Sequence, residues 1–299
     1  MHREDFDNKY RQFVRLVDDA LNALVAESDA PQKTVYDAMR YSLLAGGKRF
    51  RPVLMLAVCE MLGGKPDDVV PYACAIEMIH TYSLIHDDLP AMDNDDYRRG
   101  RLTNHKVYGE AIAILAGDGL LNLAFETMLM HAEHYSSDLK RHVQAMKIIA
   151  NASGISGMIG GQVVDIEAEG RDISSELLEY LHRHKTGALI KAPVMAAAVL
   201  CGADETCVKR LESYAEKIGL AFQIKDDILD VEGTFESLGK SVRKDMQKEK
   251  STFVKLYGLD GAKNKLFSIT EEAVNQLAVF GDKADFLSEL AYFIAGRQN

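Results

Sequence analysis

The sequence predicts an all-α fold: a single domain over residues 1–299, built from about ten or more helices. Three observations carry this. Apolar residues recur at helical spacing, as in Phe13, Leu16, Val17, Leu21 and Leu24. No segment shows sustained period-two alternation, and no Asn-Gly or Asp-Gly pair joins two β-branched runs. Turn residues come in short groups, at Ser28–Pro31, Gly63–Pro66, Gly170–Asp172 and Gly258–Gly261, with no long linker between them.

The elements follow in order. The Phe13–Leu24 stripe marks a first helix within residues 7–25. A second strong helical run passes through Ile76 and ends near Asp88, because Pro90 disfavours helical geometry at Leu89. Leu177, Leu178, Leu181, Leu189 and Ile190 carry the pattern through the third quarter of the chain. Leu220, Ile224, Ile228 and Val231 form one stripe of a later helix, with Gln223, Asp226 or Asp227, and Asp230 on another face.

Composition narrows the function. The chain has 299 residues, 47% of them apolar, with 22 Gly, six Pro and a net charge of −10, which excludes disorder and a collagen-like repeat. An acidic chain is a poor general binder of nucleic acid and gains little on an anionic membrane. The segment 1–13 is charged and lacks the apolar run of a signal peptide. Residues 192–203 are too short to span a bilayer, so no stable membrane insertion is expected. Cys59, Cys74, Cys201 and Cys207 form no CxxC pair and read as free thiols of a cytoplasmic protein.

Two aspartate clusters carry the chemistry. Asp87 and Asp88 fall in the last turn of a helix, where the macrodipole disfavours anions, and Asp93, Asp95 and Asp96 add charge just beyond. Asp226, Asp227 and Asp230 repeat the pattern, at spacings where like charges repel by roughly 0.2–0.5 kcal/mol per pair. Acceptor-only faces inside apolar helices call for a cation, and all-oxygen donors suit Mg²⁺. An EF-hand at Asp93 fails, because Tyr97 and Arg98 stand where a ligand and Gly are needed. No Cys/His set has zinc spacing, and His86-Asp87 lacks the further His ligands of a metal-dependent phosphohydrolase. Lys48, Arg49 and Arg51 after Gly46-Gly47, with Arg98, Arg99 and Arg101, read as anion sites, although Arg49 and Arg101 alone are equally readable as surface charge. A P-loop and a strand–GxGxxG unit are both absent, so the ligand is phosphorylated but the fold is no common nucleotide binder.

Five ordered motifs then carry a resemblance: GGKRFRP at Gly46–Pro52, DDLPAMDNDDYRRG at Asp87–Gly100, GGQVVD at Gly160–Asp165, KTGALI at Lys185–Ile190 and FQIKDDILD at Phe222–Asp230. Over residues 40–255 the chain resembles the trans-isoprenyl diphosphate synthases, and within them the bacterial farnesyl diphosphate type. The resemblance implies an all-α bundle around a deep central cavity, a homodimer, and three Mg²⁺ ions clamping an allylic diphosphate. Asp87, Asp88 and Asp93 would hold metal on one wall, and Asp226 and Asp230 on the other. Gly47, Lys48, Arg51, His80 and Arg99 would bind isopentenyl diphosphate, while Arg98, Lys185, Thr186, Gln223, Lys225 and Lys240 would surround the allylic substrate. Lys185, Thr186, Gln223, Lys225 and Lys240 carry the catalytic expectation, with the Gln223 and Thr186 oxygens facing the carbocation.

Tyr82 and Ser83, five and four residues before Asp87, are the expected chain-length residues and point to farnesyl diphosphate as product, with geranylgeranyl and geranyl diphosphate the family alternatives. Leu102 replaces a common Pro, and Arg243 a common Gly; the tail offers Arg297 as its one basic residue, with no role assigned. A terpene cyclase, a non-catalytic prenyltransferase subunit and a purely structural helical protein are the rival classes. Each fits poorly with two intact acidic clusters and a Gly-Gly-Lys-Arg segment.

Overall fold

The computed structural model describes residues 1–134, 138–171, 173–232 and 252–297. These contain thirteen α-helices: α1 (Arg3–Leu24), α2 (Lys33–Leu43), α3 (Phe50–Met61), α4 (Val70–Asp87), α5 (Asn104–Tyr108), α6 (Glu110–Glu133), α7 (Leu139–Ser153), α8 (Met158–Ala168), α9 (Ser175–His182), α10 (Ala188–Leu200), α11 (Glu205–Glu232), α12 (Phe253–Leu277) and α13 (Asp285–Gly296). The all-α class is as expected from the sequence. Lys240 and Arg243 lie outside the described residues.

Apolar periodicity sets where each helix sits. In α1, Phe6, Phe13, Val17 and Leu21 are buried on one stripe while the opposite face is charged. By contrast, α3 and α4 are buried around most of their circumference, so they occupy the interior. α6 packs on α4 and α2, and α10 bridges α3, α7 and α11. Among the described residues, α6 alone is long and apolar enough to cross a membrane by length and composition, and its buried residues belong to the shared core. A second apolar cluster (Ala221, Ile224, Ile228, Phe253, Ala262 and Leu266) fastens α11 to α12.

Helix α4 ends at Asp87, as Pro90 requires. The chain then turns back on its own helix end: the Asp93 N–H donates to the Asp87 carbonyl at 2.8 Å, and the Asp95 N–H to the Asp88 carbonyl at 3.2 Å. The carbonyls left open at a helix C-terminus are thus satisfied, and Asp93 is carried beside Asp87. A hairpin absent from the sequence reading follows. Tyr97–Arg98 (β1) pairs with Arg101–Leu102 (β2) across Arg99 and Gly100, which have φ 53° and 72°. Positive φ at both loop positions is the type I′ signature; Arg-Gly lacks the usual Asn-Gly cue, and two-residue strands leave no period to read.

One basic residue proves structural. Arg49 is buried, with its guanidinium donating to Asp18 and Glu77 at 2.8 Å each and to the Leu43 carbonyl at 2.7 Å. It is neither the anion ligand nor the surface charge that the sequence allowed; it joins α1, α2 and α4 beneath the glycine loop. A buried pair stripped of one member leaves an uncompensated charge. Glu77→Leu is expected to destabilise the protein by about 3–5 kcal/mol in urea unfolding, and adding Arg49→Met to it should recover much of that loss.

Candidate active site

The end of α4 and Met92 of the following turn line one side of a cavity of about 480 Å³, and near that helix end Arg99 of the hairpin reaches the Gly46 carbonyl. Arg51, His80, Tyr82, Ser83 and Asp87 line this side. Lys185, Thr186 and Leu189 face them, and Met158, Ile159, Val163 and Ile166 of α8 with Leu121 of α6 make the remaining wall apolar. A smaller adjoining cavity of about 110 Å³ shares Lys185 and Thr186 and is lined by Gln223 and Asp227 of α11. The two cavities thus share Lys185 and Thr186, with Asp87 of α4 lining the larger and Asp227 of α11 the smaller.

The backbone at Lys185 and Thr186 is a π-helical turn, Arg183–Gly187, between α9 and α10. Such turns widen the helix and are frequent at functional sites. A Cβ on Gly161 of α8 would lie 2.1 Å from the Lys185 backbone nitrogen, so only glycine lets α8 approach this turn. Four residues on, Asp165 of α8 binds the Lys185 ammonium at 2.5 Å. Thr186 donates its hydroxyl to Gln223 Oε1 at 3.1 Å, Gln223 Nε2 donates to Asp227 at 2.9 Å, and Asp227 also accepts the Phe253 N–H at 2.7 Å. This chain ties α10, α11 and the start of α12 together.

The aspartates of the two clusters are not equivalent. Asp88 is 3% exposed, and both its oxygens accept from Arg98 at 2.7–2.9 Å. Burial still raises its carboxyl, outweighing the pull of Arg98. Asp227 is equally buried and spent on Gln223 and Phe253, so it leaves the acidic face to Asp226 and Asp230. Asp87 is different: its carboxylate has no hydrogen-bond or ion-pair partner among the described residues. Burial first, and then Asp93 and Asp88 against the opposing pull of Lys185 and Arg98, push it up to about 6. Asp93 adjoins it through the turn, and Asp230 is half-buried on α11.

The cations mirror this. Arg51 is 9% exposed, its Nε is buried without a partner, and burial lowers it to about 10. Lys48 is lowered to about 8 by burial, with Arg297 adding to the effect and Asp226 opposing it. His80 is held well below its ordinary value by burial and by Arg51, Arg99 and Arg98, so it is neutral at neutral pH. Arg99 lies against Gly47, where a Cβ would sit 2.8 Å from the guanidinium carbon, and donates to the Gly46 carbonyl. Lys225 on α11 is lowered by burial and then by Arg297. Burial thus biases both signs of charge toward neutrality, which is the state of a site built for a charged ligand that brings counter-charges of both kinds.

The family model described as polyprenyl synthetase matches residues 32–283. The chain belongs to the polyprenyl synthetase family. It is 47% identical over 285 residues to geranylgeranyl diphosphate synthase of Cyanophora paradoxa, covering 95% of this chain and 94% of that one. It is 45% identical over 296 residues to farnesyl diphosphate synthase of Geobacillus stearothermophilus, covering 99% and 98%. An apo FPP/GFPP synthase structure from Zymomonas mobilis superimposes with a TM-score of 0.88 at 35% identity, over 97% and 99% of the two chains. That family is one of prenyltransferases, and the chain's all-α bundle is the fold of its solved relatives.

One site residue was not legible in the sequence. Arg297, just beyond α13, donates to Asp226 at 2.6 Å and to the Phe222 carbonyl at 3.1 Å, and its guanidinium lies 3.9 Å from the Phe222 ring centre. Only the fold brings the tail to α11; the one available signal was a lone basic residue near the end of an acidic chain.

Burial of Asp87 has a cost that folding must carry. A carboxyl raised in the folded state binds more protons than its unfolded counterpart between about pH 4 and 6, so it lowers stability as pH rises through that window. Asp87→Asn is expected to stabilise the metal-free protein by about 1–2 kcal/mol at pH 8, and the gain should vanish below pH 4 in thermal unfolding.

Proposed function

We propose that this protein joins isopentenyl diphosphate head-to-tail to dimethylallyl and geranyl diphosphate, giving farnesyl diphosphate as its main product. The observation that carries this reading is one apolar cavity lined by Asp87 and Arg51, where, among the described residues, the Asp87 carboxylate and the buried Arg51 Nε have no hydrogen-bond partner. A metal-bound diphosphate satisfies the first, and a metal-free diphosphate satisfies the second.

The residues fit Mg²⁺. The donors are carboxylate oxygens, Asp87 has no ion-pair partner among the described residues, and Asp226 already draws the Arg297 cation onto its oxygen. Asp87 and Asp93 on one wall and Asp226 with Asp230 on the other would hold three ions. Asp88 serves by fixing Arg98 beside the same diphosphate. When bound, the ions neutralise the charge that develops on the leaving diphosphate. Lys185, Arg98 and Lys225 add fixed positive charge to that group, and the sequence expectation for Lys240 lies outside the described residues. Lys48, Arg51, Arg99 and neutral His80, with Gly47 admitting close approach, hold isopentenyl diphosphate.

The allylic C–O bond breaks heterolytically, leaving a carbocation facing the oxygens of Thr186 and Gln223. The apolar wall of α8 keeps water from it. The isopentenyl double bond attacks, a C–C bond forms, and one proton leaves to the released diphosphate. Tyr82 is 6% exposed, and its hydroxyl is buried without a partner. It is the floor that stops the growing chain, with Ser83 beside it. The protein works as a cytoplasmic homodimer, each chain one domain.

The test is incubation with Mg²⁺, geranyl diphosphate and labelled isopentenyl diphosphate, followed by product sizing. Linear fifteen-carbon product is expected, and Asp87→Ala and Asp226→Ala should each lower turnover by about 10²-fold or more while the helical circular dichroism persists. Cyclic hydrocarbon products, or full activity in both variants, would overturn the reading. Tyr82→Ala should shift the product toward twenty carbons; an unchanged fifteen-carbon product would show that Tyr82 is not the floor.

A further inference from the structure

Resting on that elongation reading, we propose that His86 and Gly117 form a second chain-length element, a side-wall recess that sets the width of the cavity beside Tyr82. His86 lines the cavity one turn above Tyr82, with the two rings edge to face at 5.7 Å. Its imidazole lies directly on the backbone of α6. A Cβ built on Gly117 would stand 2.1 Å from Nε2 and 2.5 Å from Cδ2. Gly117 is buried in mid-helix, where glycine costs about 1 kcal/mol relative to alanine, so its use there needs a steric reason.

The ring is also fixed in direction. Nε2 faces the Ile114 carbonyl at 3.0 Å, an acceptor only, so it carries the proton and donates; Asp118 Oδ1 lies 4.0 Å from the same nitrogen. The residue therefore spends its polar end on α6 and presents ring edge and face to the tunnel and to Tyr82. Because the recess at Gly117 takes up the tip of the imidazole, the tunnel keeps room for a chain at this height. Filling the recess must push the ring outward, and the remaining space is the cavity and the Tyr82 ring. Tyr82 stops the chain from below, while the His86–Gly117 contact sets how wide a chain reaches it.

The experiment compares product lengths from wild type, Gly117→Ala, His86→Ala and the double variant under identical substrate ratios. Gly117→Ala should lower the ratio of fifteen- to ten-carbon product by about tenfold or more, since about one methylene of lost space is worth that much discrimination. His86→Ala should raise the twenty-carbon share. The double variant removes the clash and so reports even where Gly117→Ala folds poorly; it should abolish the shortening and resemble His86→Ala. A wild-type product distribution from Gly117→Ala, or equal shortening in Gly117→Ala and the double variant, would overturn the proposal while leaving prenyl transfer intact. A wild type that made no prenyl diphosphate would instead remove the function and this inference together.

Discussion

The site depends on desolvated charge that the protein leaves uncompensated. Burial raises Asp87 and lowers Arg51 and His80, which line one cavity, and it also lowers Lys48. A folded protein ordinarily pairs buried charges or excludes them. Here the chain does pair the neighbours, Asp88 with Arg98, Asp165 with Lys185 and Arg49 with Glu77, while leaving Asp87 and the Nε of Arg51 open. The contrast between paired and open groups a few residues apart is the basis of the proposed ligand contacts.

Backbone devices hold these groups in place. The turn after α4 hydrogen-bonds back to Asp87 and Asp88, so the acidic cluster is rigid despite its repulsion. The hairpin sends Arg98 to Asp88 and Arg99 to the glycine loop. On the facing side, the π-helical turn exposes Lys185 and Thr186, and the Thr186–Gln223–Asp227 chain transmits their position to α11 and α12. The polar end of the cavity is thus fixed from four helices, while its apolar remainder, lined by α8, α6 and α10, is free to accommodate a hydrocarbon chain.

Much of this was legible in the sequence because it is local. The helix end before Pro90, the apolar stripe of α1 and the two aspartate clusters follow from spacing and backbone chemistry. What escaped is set by tertiary contact. Spacing could not separate Asp226 from Asp227, yet one faces Arg297 and the other is buried against the start of α12. Arg49 and Arg51 look alike in sequence, but a φ of 49° at Arg49 turns its side chain into the α1–α4 interface. Arg297 meets α11 across more than sixty residues of chain, and the Gly117 recess requires knowing that α6 lies on α4. Lys240 falls outside the described residues.

The two acidic walls differ in their counter-charges. Without ligand, the Arg297 guanidinium serves as counter-ion to Asp226, so the second acidic wall is partly neutralised by the tail. Among the described residues, Asp87 on the first wall has no such ion-pair partner. The most direct test is a crystal structure grown with Mn²⁺ and inorganic diphosphate, read by anomalous scattering. The account predicts manganese on both Asp87 and Asp226, bridged by one diphosphate within reach of Lys185. Metal confined to one wall, or diphosphate bound away from both, would contradict it.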